Sequence, residues 1–302
     1  MIYPWLGASH QMLADASQNK KLHHALLLQG VQGIGKQTMA VHLAGALLCP
    51  NQQNLTACGQ CKSCHLLAAQ SHPDYLVLGH EQKTIGVDEV RKIADFCQTS
   101  AGQRGAKVVV VNDADLMTTA AANALLKTLE EPANNRFLIL VSAQAERLPA
   151  TVLSRCSQVT LSVDDAQLVE QWMAETDSKI DWQSWQHLFL HQPLLLLKWQ
   201  QNEDHTILTN LYELVQQLKN GISAQLLVDI LQQKSEYSSV FYIFVCDYVK
   251  QALLKQQLDF KAYQICLQHL LNFQQAVKQV LGLNFPLAVS DLVFALQQQL
   301  KR

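Results

Sequence analysis

A glycine-rich loop set between a short apolar run and a helix-forming segment constrains this chain most. It reads Gly30-Val31-Gln32-Gly33-Ile34-Gly35-Lys36-Gln37, which follows the phosphate-binding pattern G-x-x-x-x-G-K-[ST] except at its last position. In such a loop a strand delivers the chain and a helix carries it away, because backbone N–H groups at the helix start face the ligand. Ala25 to Leu28 is apolar, as a buried strand requires. After the loop, Met39, Leu43 and Leu47 recur at helical spacing with Ala40, Ala44 and Leu48 beside them, giving one apolar helix face.

The alternation of strand and helix continues. Tyr75 to Leu78 reads as a strand placed after Pro73-Asp74, and Val90, Ile93, Ala94 and Cys97 lie at helical spacing within Val87 to Cys97. Val108 to Val111 is a β-branched central strand. Thr118 or Thr119 caps a helix that runs through Glu131 and stops at Pro132. Further strands are expected over 137–141 and 158–161. The pattern predicts a five-stranded parallel sheet with helices on both faces, its ligand lying beyond the carboxyl ends of the strands, where the loop falls.

Beyond Asp164 the strand signal ends. Asp164-Asp165 can cap a helix carrying Val169, Trp172 and Met173, and Trp182 to Trp199 continues in helical style. From Asn202 onward the chain is rich in Leu and Gln, with helices expected near 206–220, 223–233, 237–257, 260–280 and 286–300. The scattered glutamines read as solvated faces of these helices. A length of 302 residues suits two or three domains.

Composition excludes some classes. At 49% hydrophobic and 16% charged the chain can bury cores and is not a disordered one. A formal net charge of -2 supplies no overall basic field for nucleic acid. The start of the chain shows no secretory signal pattern, and the longest aliphatic run, Leu194 to Leu197, is too short for a bilayer. A cytoplasmic location is expected.

Eight cysteines in such a chain argue for metal binding and buried thiols, not a disulfide framework. Four of them are spaced Cys49-x8-Cys58-x2-Cys61-x2-Cys64. Four thiolates at these intervals can close a tetrahedral structural zinc site. An iron–sulfur cluster is the sharper rival, since a C-x2-C-x2-C triplet with a distant Cys-Pro echoes ferredoxin ligation. His65 in place of Cys64 is a lesser alternative. Cys97, Cys156, Cys246 and Cys266 are expected in the core.

The loop belongs to a nucleotide site with parts missing. Gly30, Gly33, Gly35 and Lys36 supply the phosphate cradle and the lysine, but Gln37 replaces the hydroxyl residue that holds magnesium. The strand Val108 to Val111 ends in Asn112-Asp113-Ala114-Asp115. Asn112 takes the metal-side carboxylate position and Asp113 the water-side one, where Glu is wanted; a shift of register by one puts Ala114 there instead. Hydrolysis in cis is not expected from either register. Nucleotide binding without turnover stays open, because Lys36 is present.

The stretch Asp113-Ala114-Asp115-Leu116, then Ala120 through Ala124 to Leu125-Leu126-Lys127-Thr128-Leu129-Glu130-Glu131-Pro132, resembles bacterial clamp-loader subunits of the AAA+ family. Ser154-Arg155-Cys156, after Leu148-Pro149-Ala150-Thr151-Val152-Leu153, is similar to that family's Ser-Arg-Cys motif. With the four cysteines, Tyr3-Pro4-Trp5-Leu6 and Ser71-His72-Pro73-Asp74-Tyr75, the likeness is greatest to the delta-prime class of the DNA polymerase III clamp loader. It is dense over residues 1–162 and rests on length and helix content beyond.

The resemblance implies an α/β AAA+ core over residues 1–162, with the zinc module at 49–64. A small helical lid over 163–202 and an all-α collar, the oligomerisation domain, over 203–302 would follow. It implies a mostly rigid stator that assembles with gamma or tau and delta subunits to load the sliding beta clamp on primed DNA. ATP hydrolysis would fall to gamma or tau. Arg155 would be an arginine finger in trans, reaching a neighbour's nucleotide site; such a finger is worth roughly 10³–10⁵ in turnover. Keeping Lys36 departs from many members of that class, so ATP or ADP binding is left open by the resemblance.

Two rival functions weigh against this one. An ATP-hydrolysing subunit of gamma type conflicts with Gln37 and Asn112. A zinc module that reads nucleic acid would want Lys, Arg and aromatics around the cysteines, yet Pro50 to Leu66 carries only Lys62 and no aromatic side chain.

Overall fold

The computed structural model describes residues 2–79, 84–102, 105–131, 134–176, 184–202, 204–234, 236–279 and 282–301. Pro132 and Trp182, named above, lie outside these. The chain forms two compact units, one of residues 1–179 with 190–196 and one of 180–189 with 197–302.

Unit 1 is built on a parallel sheet of β1 (Ala25–Gln29), β2 (Tyr75–Leu78), β3 (Lys107–Val111), β4 (Arg136–Ser142) and β5 (Ser157–Thr160). The strand order is β2-β3-β4-β1-β5, so β4 is inserted between β3 and β1. Around it stand α1 (Gly7–Gln18), α2 (Lys36–Leu48), α3 (Lys62–Ala68), α4 (Val87–Gln98), α5 (Thr119–Glu130), α6 (Ala150–Leu153) and α7 (Ala166–Thr176). The first turn of α8 (Pro193–Gln201) also belongs to unit 1.

Both faces of the sheet are covered because each central strand carries four or more consecutive apolar residues. Leu27, Val109, Val111, Leu138 and Leu140 join Val90 and Ile93 of α4, Leu125 and Leu129 of α5 and Val152 of α6 in one core. Side chains alternate along a strand, so Leu26, Leu28, Val108, Val110, Ile139 and Val141 point the other way; all are buried. Helix α2 packs on β1, β3 and β4, with Met39, Ala40, Leu43 and Ala44 buried along one stripe. The expected strands and helices appear within a residue or two. Thr118 is the cap of α5, its hydroxyl accepting from the Ala121 N–H at 3.2 Å, and Asp165 accepts from the Gln167 N–H at 2.9 Å before α7.

Unit 2 is helical: the remainder of α8, then α9 (Asp204–Gln216), α10 (Ala224–Leu231), α11 (Glu236–Leu254), α12 (Phe260–Gln279) and α13 (Phe285–Leu300). An aromatic core of Trp185, Phe189, Trp199 and Phe244 packs edge to face, with ring centroids 5.0–6.0 Å apart. Asp204 is buried and accepts hydrogen bonds from Lys234 Nζ and from Tyr237 Oη at 2.8 Å, so its charge is paired. Among the described residues no helix is long and apolar enough to cross a membrane. Only Cys266 of the four further cysteines is fully buried; Cys97, Cys156 and Cys246 are half-buried, and Cys97 and Cys156 pack against the core of unit 1.

Candidate functional site

The carboxyl ends of β1, β4 and β3 lie side by side, and the glycine loop leaves β1 there. Gly35 is the N-cap of α2 with φ +99°, a backbone that side chains other than glycine rarely adopt. A Cβ on Gly35 would come within 2.6 Å of the Tyr3 ring. The indole N–H of the buried Trp5 donates to the Ile34 carbonyl at 2.9 Å. Tyr3 and Trp5 stack with centroids 5.0 Å apart, and the Trp172 ring meets both edge to face. From another side the Leu194 N–H donates to the Gly33 carbonyl at 2.9 Å, and Leu195 lies against Gly33. The loop is thus braced on two sides by residues distant in sequence.

Lys36 is almost fully buried. Its ammonium donates to the carbonyls of Gly30, at 2.8 Å, and Val31, at 2.9 Å. Burial lowers its pKa, and the charges of Asp113 and Asp115 oppose that shift. A cavity of about 460 Å³ opens beside it, lined by Gln32, Lys36, Gln37, Asp113, Asp115 and Arg147 among others.

The acidic end of β3 differs from a metal-holding one. Asn112 is 3% exposed and uncharged. Asp115 is engaged by β4: its Oδ1 accepts from Ser142 Oγ at 2.6 Å and from the Ala143 N–H at 3.2 Å. Asp113, in the left-handed region at φ +48°, lines the cavity. Asp113 is left as the candidate carboxylate, and it is one methylene shorter than Glu. Arg147 was not foreseen as a lining residue. It stands in the short helix after β4, and nothing in its own sequence neighbourhood places it there.

The Ser-Arg-Cys segment follows α6 and divides its side chains by direction. Ser154 Oγ donates to the Thr151 carbonyl at 3.2 Å. Cys156 packs at the edge of the core, where burial pushes its thiol up to about 11. Arg155 points outward: Nη2 pairs with Glu130 Oε1 at 2.6 Å, and Nη1 donates to the Thr151 carbonyl at 3.0 Å.

The four cysteines converge. Cys49 caps the C-terminus of α2, and Cys61 caps the N-terminus of α3, its sulfur accepting from the Cys64 N–H at 3.5 Å. A short antiparallel bridge, Gln53 to Thr56, turns the chain back between them. All four sulfurs lie within 4.8 Å of one another. Three of the Sγ–Sγ separations are 3.5 Å for Cys61–Cys64, 3.8 Å for Cys49–Cys61 and 4.0 Å for Cys58–Cys64. A tetrahedron with Zn–S bonds of ~2.3 Å has edges of about 3.8 Å, so the donor set fits zinc. The Gln60 N–H holds the Cys58 thiol down to about 6, whereas burial pushes Cys64 up to about 12. His65 is not part of this group.

A family described as DNA polymerase III, delta subunit, matches residues 7–165. The DNA polymerase III subunit delta' of Pseudomonas aeruginosa is 45% identical over 175 residues, covering 57% of this chain and 52% of that protein. The same-named subunit of Escherichia coli is 42% identical over 174 residues, with the same coverage of 57% and 52%. The chain spans about half the length of these curated relatives. The tau/gamma subunit of Haemophilus influenzae is 32% identical over 162 residues, 54% of this chain and 23% of that one. Among solved structures, a gamma-subunit-related protein of Thermotoga maritima covers 97% of this chain and 100% of its own, at 18% identity and a TM-score of 0.47.

Proposed function

This chain belongs to the DNA polymerase III delta subunit family, and on that premise we propose that it is a delta-prime-type stator of a clamp loader. It joins gamma or tau and delta subunits, helps place the sliding beta clamp on primed DNA, and does not itself hydrolyse ATP. The observation that carries this reading is Asn112, buried and neutral at the end of β3, next in sequence to Asp113 of the Lys36 cavity. Magnesium bridging two phosphates needs negative charge from the protein at that point, and an amide supplies none.

Arg155 acts in trans on a neighbour's phosphoryl group. Its outward direction, between a core-packed Cys156 and a helix-bonded Ser154, supports that role. Cys49, Cys58, Cys61 and Cys64 hold a structural zinc, which lends rigidity to the end of α2 and leaves no open position for chemistry. Residues 163–202 form the lid and 203–302 the collar. Leu287 and Phe294, seven residues apart on α13 and 55% and 64% exposed, support a collar that buries an apolar face against other subunits.

The test has two stages. The purified chain with magnesium and ATP should show no turnover. In a reconstituted ring, Arg155→Ala should lower ATPase by at least ~10³ at the neighbouring site with assembly intact. Clear turnover by the isolated chain would replace the stator with an ATP-hydrolysing subunit of gamma type, for which the retained Lys36 is the support.

A further inference from the structure

A buried chain of hydrogen bonds ties the cysteine knuckle to the sheet. Ser63 and His72 are 7% and 5% exposed. Ser63 Oγ donates to the Leu48 carbonyl at 2.8 Å and lies 2.7 Å from His72 Nε2. On the other side of the ring, the Asp74 N–H donates to His72 Nδ1 at 3.0 Å. These bonds fix the protons. Nδ1 accepts and carries none, so Nε2 holds the ring proton and gives it to Ser63 Oγ, whose own proton goes to Leu48.

Ser63, His72 and Asp74 have the residue types of a nucleophilic triad, but the protons run the wrong way for one. A catalytic serine gives its proton to the imidazole, and the imidazole gives Nδ1–H to a carboxylate. Here the serine proton is committed to a carbonyl, and Nδ1 receives a backbone N–H. The cluster is a clasp instead. Leu48 precedes Cys49 and Ser63 precedes Cys64, so the Ser63–Leu48 bond joins the residues next to the outermost pair of the four cysteines. His72 locks the serine rotamer that makes it. Asp74 carries the linkage into the sheet: its Oδ1 accepts from the Gly102 N–H at 2.8 Å, and it pairs with the buried Lys107 ammonium at 3.6 Å.

We propose that His72 and Ser63 are positioning residues of the metal site: their hydrogen bond helps to keep Cys49 and Cys64, whose sulfurs lie within 4.8 Å of one another, in reach of one tetrahedral ion. Residues behind the ligands that orient them are typically worth a factor of ~10–100 in metal affinity. The inference rests on the metal reading above, and it predicts that this pair governs retention of the ion without touching it.

The experiment uses the full chain loaded with zinc and freed of excess metal. Zinc content and the rate of release to excess chelator are measured for the wild type, His72→Phe, Ser63→Ala, Ser63→Thr and the His72→Phe/Ser63→Ala pair. Each single loss should speed release by ~10-fold or more, the pair no more than either alone, and Ser63→Thr, which keeps the hydroxyl, should stay near the wild type. Thermal unfolding of the zinc-free chains gives the cost of the unpaired His72 and Leu48 groups in Ser63→Ala, and the destabilisation should be larger when zinc is bound, which separates positioning of the ligands from general stability. Release rates within about two-fold of wild type, or effects that multiply, would overturn the clasp while leaving the metal site standing. A wild-type chain that retains no zinc would instead overturn the metal reading itself. If His72→Phe fails to fold, the contrast between Ser63→Ala and Ser63→Thr decides alone.

Discussion

Arg155 Nη2 lies 2.6 Å from Glu130 Oε1, joining the residue that ends the Ser154-Arg155 step to the last residue of α5. Both side chains are more than a third exposed. The pair therefore holds the guanidinium at the surface without adding much to the fold, since exposed ion pairs contribute under ~1 kcal/mol.

That gives the first prediction. Arg155→Ala should leave the urea unfolding free energy of the isolated chain within about 1 kcal/mol of wild type. A ring ATPase defect in this variant then reads as the loss of a group acting on a neighbour. A larger loss of stability would make Arg155 a structural residue and remove its support as a trans finger.

The brace on the glycine loop gives the second. Gly35→Ala must adopt φ near +99° and must push the Tyr3 ring from its place 2.6 Å away. We expect a loss of ~1–3 kcal/mol in urea unfolding, part of it backbone strain and part overpacking. Adding Tyr3→Ala should recover the steric part and leave the strain. Equal stabilities for wild type and Gly35→Ala would show that Tyr3 does not hold the loop.

Metal removal gives the third. With zinc bound, Cys49, Cys58, Cys61 and Cys64 should be shielded from a thiol reagent. After chelation Cys58, whose thiol is held down to about 6, should react first, while Cys266, fully buried, stays slow. The stripped chain should also melt at lower temperature. An unchanged melting curve would mean that the ion adds nothing to the fold of unit 1.

The sheet was legible because parallel central strands are apolar on both faces. Val108 to Val111 spells such a strand outright, and β3 adds only Lys107, whose ammonium sits over the Phe96 ring at 4.0 Å. The helices of unit 2 were legible for a similar reason, each carrying several turns of apolar spacing. Helix α1 escaped because it buries only Leu13 and Ala14 and so shows little period. Helix α3 escaped because its cap and first turn carry Cys61 and Cys64 of the cysteine cluster, with little apolar spacing. Of the loop residues picked out by motif spacing, Gly33, Gly35, Lys36 and Gln37 line the cavity. The bond from Ser142 to Asp115 could not be read that way, since it needs the β3–β4 pairing, nor could the contact of Tyr3 with Gly35. A glycine that makes room for a distant ring looks in sequence like any other glycine of the loop.

The last prediction concerns His42, in the middle of α2. Its ring stands 5.0 Å from that of His10, and His10 Nε2 lies 3.2 Å from the Leu55 carbonyl. Burial, helped by the charge His10 can carry, holds the His42 pKa down to about 4, against 6.5 in an open chain. The unfolded chain therefore binds a proton near pH 6.5 that the folded chain refuses until about pH 4, and stability contributed by the neutral ring is lost as pH falls through that window. Above pH 6.5 both states are neutral at this position, and below about pH 4 both are charged, so the contribution is flat on either side. We expect the difference in unfolding free energy between wild type and His42→Gln, both measured without zinc, to shift against the wild type between pH 6.5 and 4. Using the difference removes contributions from groups that do not interact with His42. A difference that stays level from pH 7 to pH 4 would mean that His42 is protonated as readily in the fold as in water, and that the packing of α1 on α2 tolerates its charge.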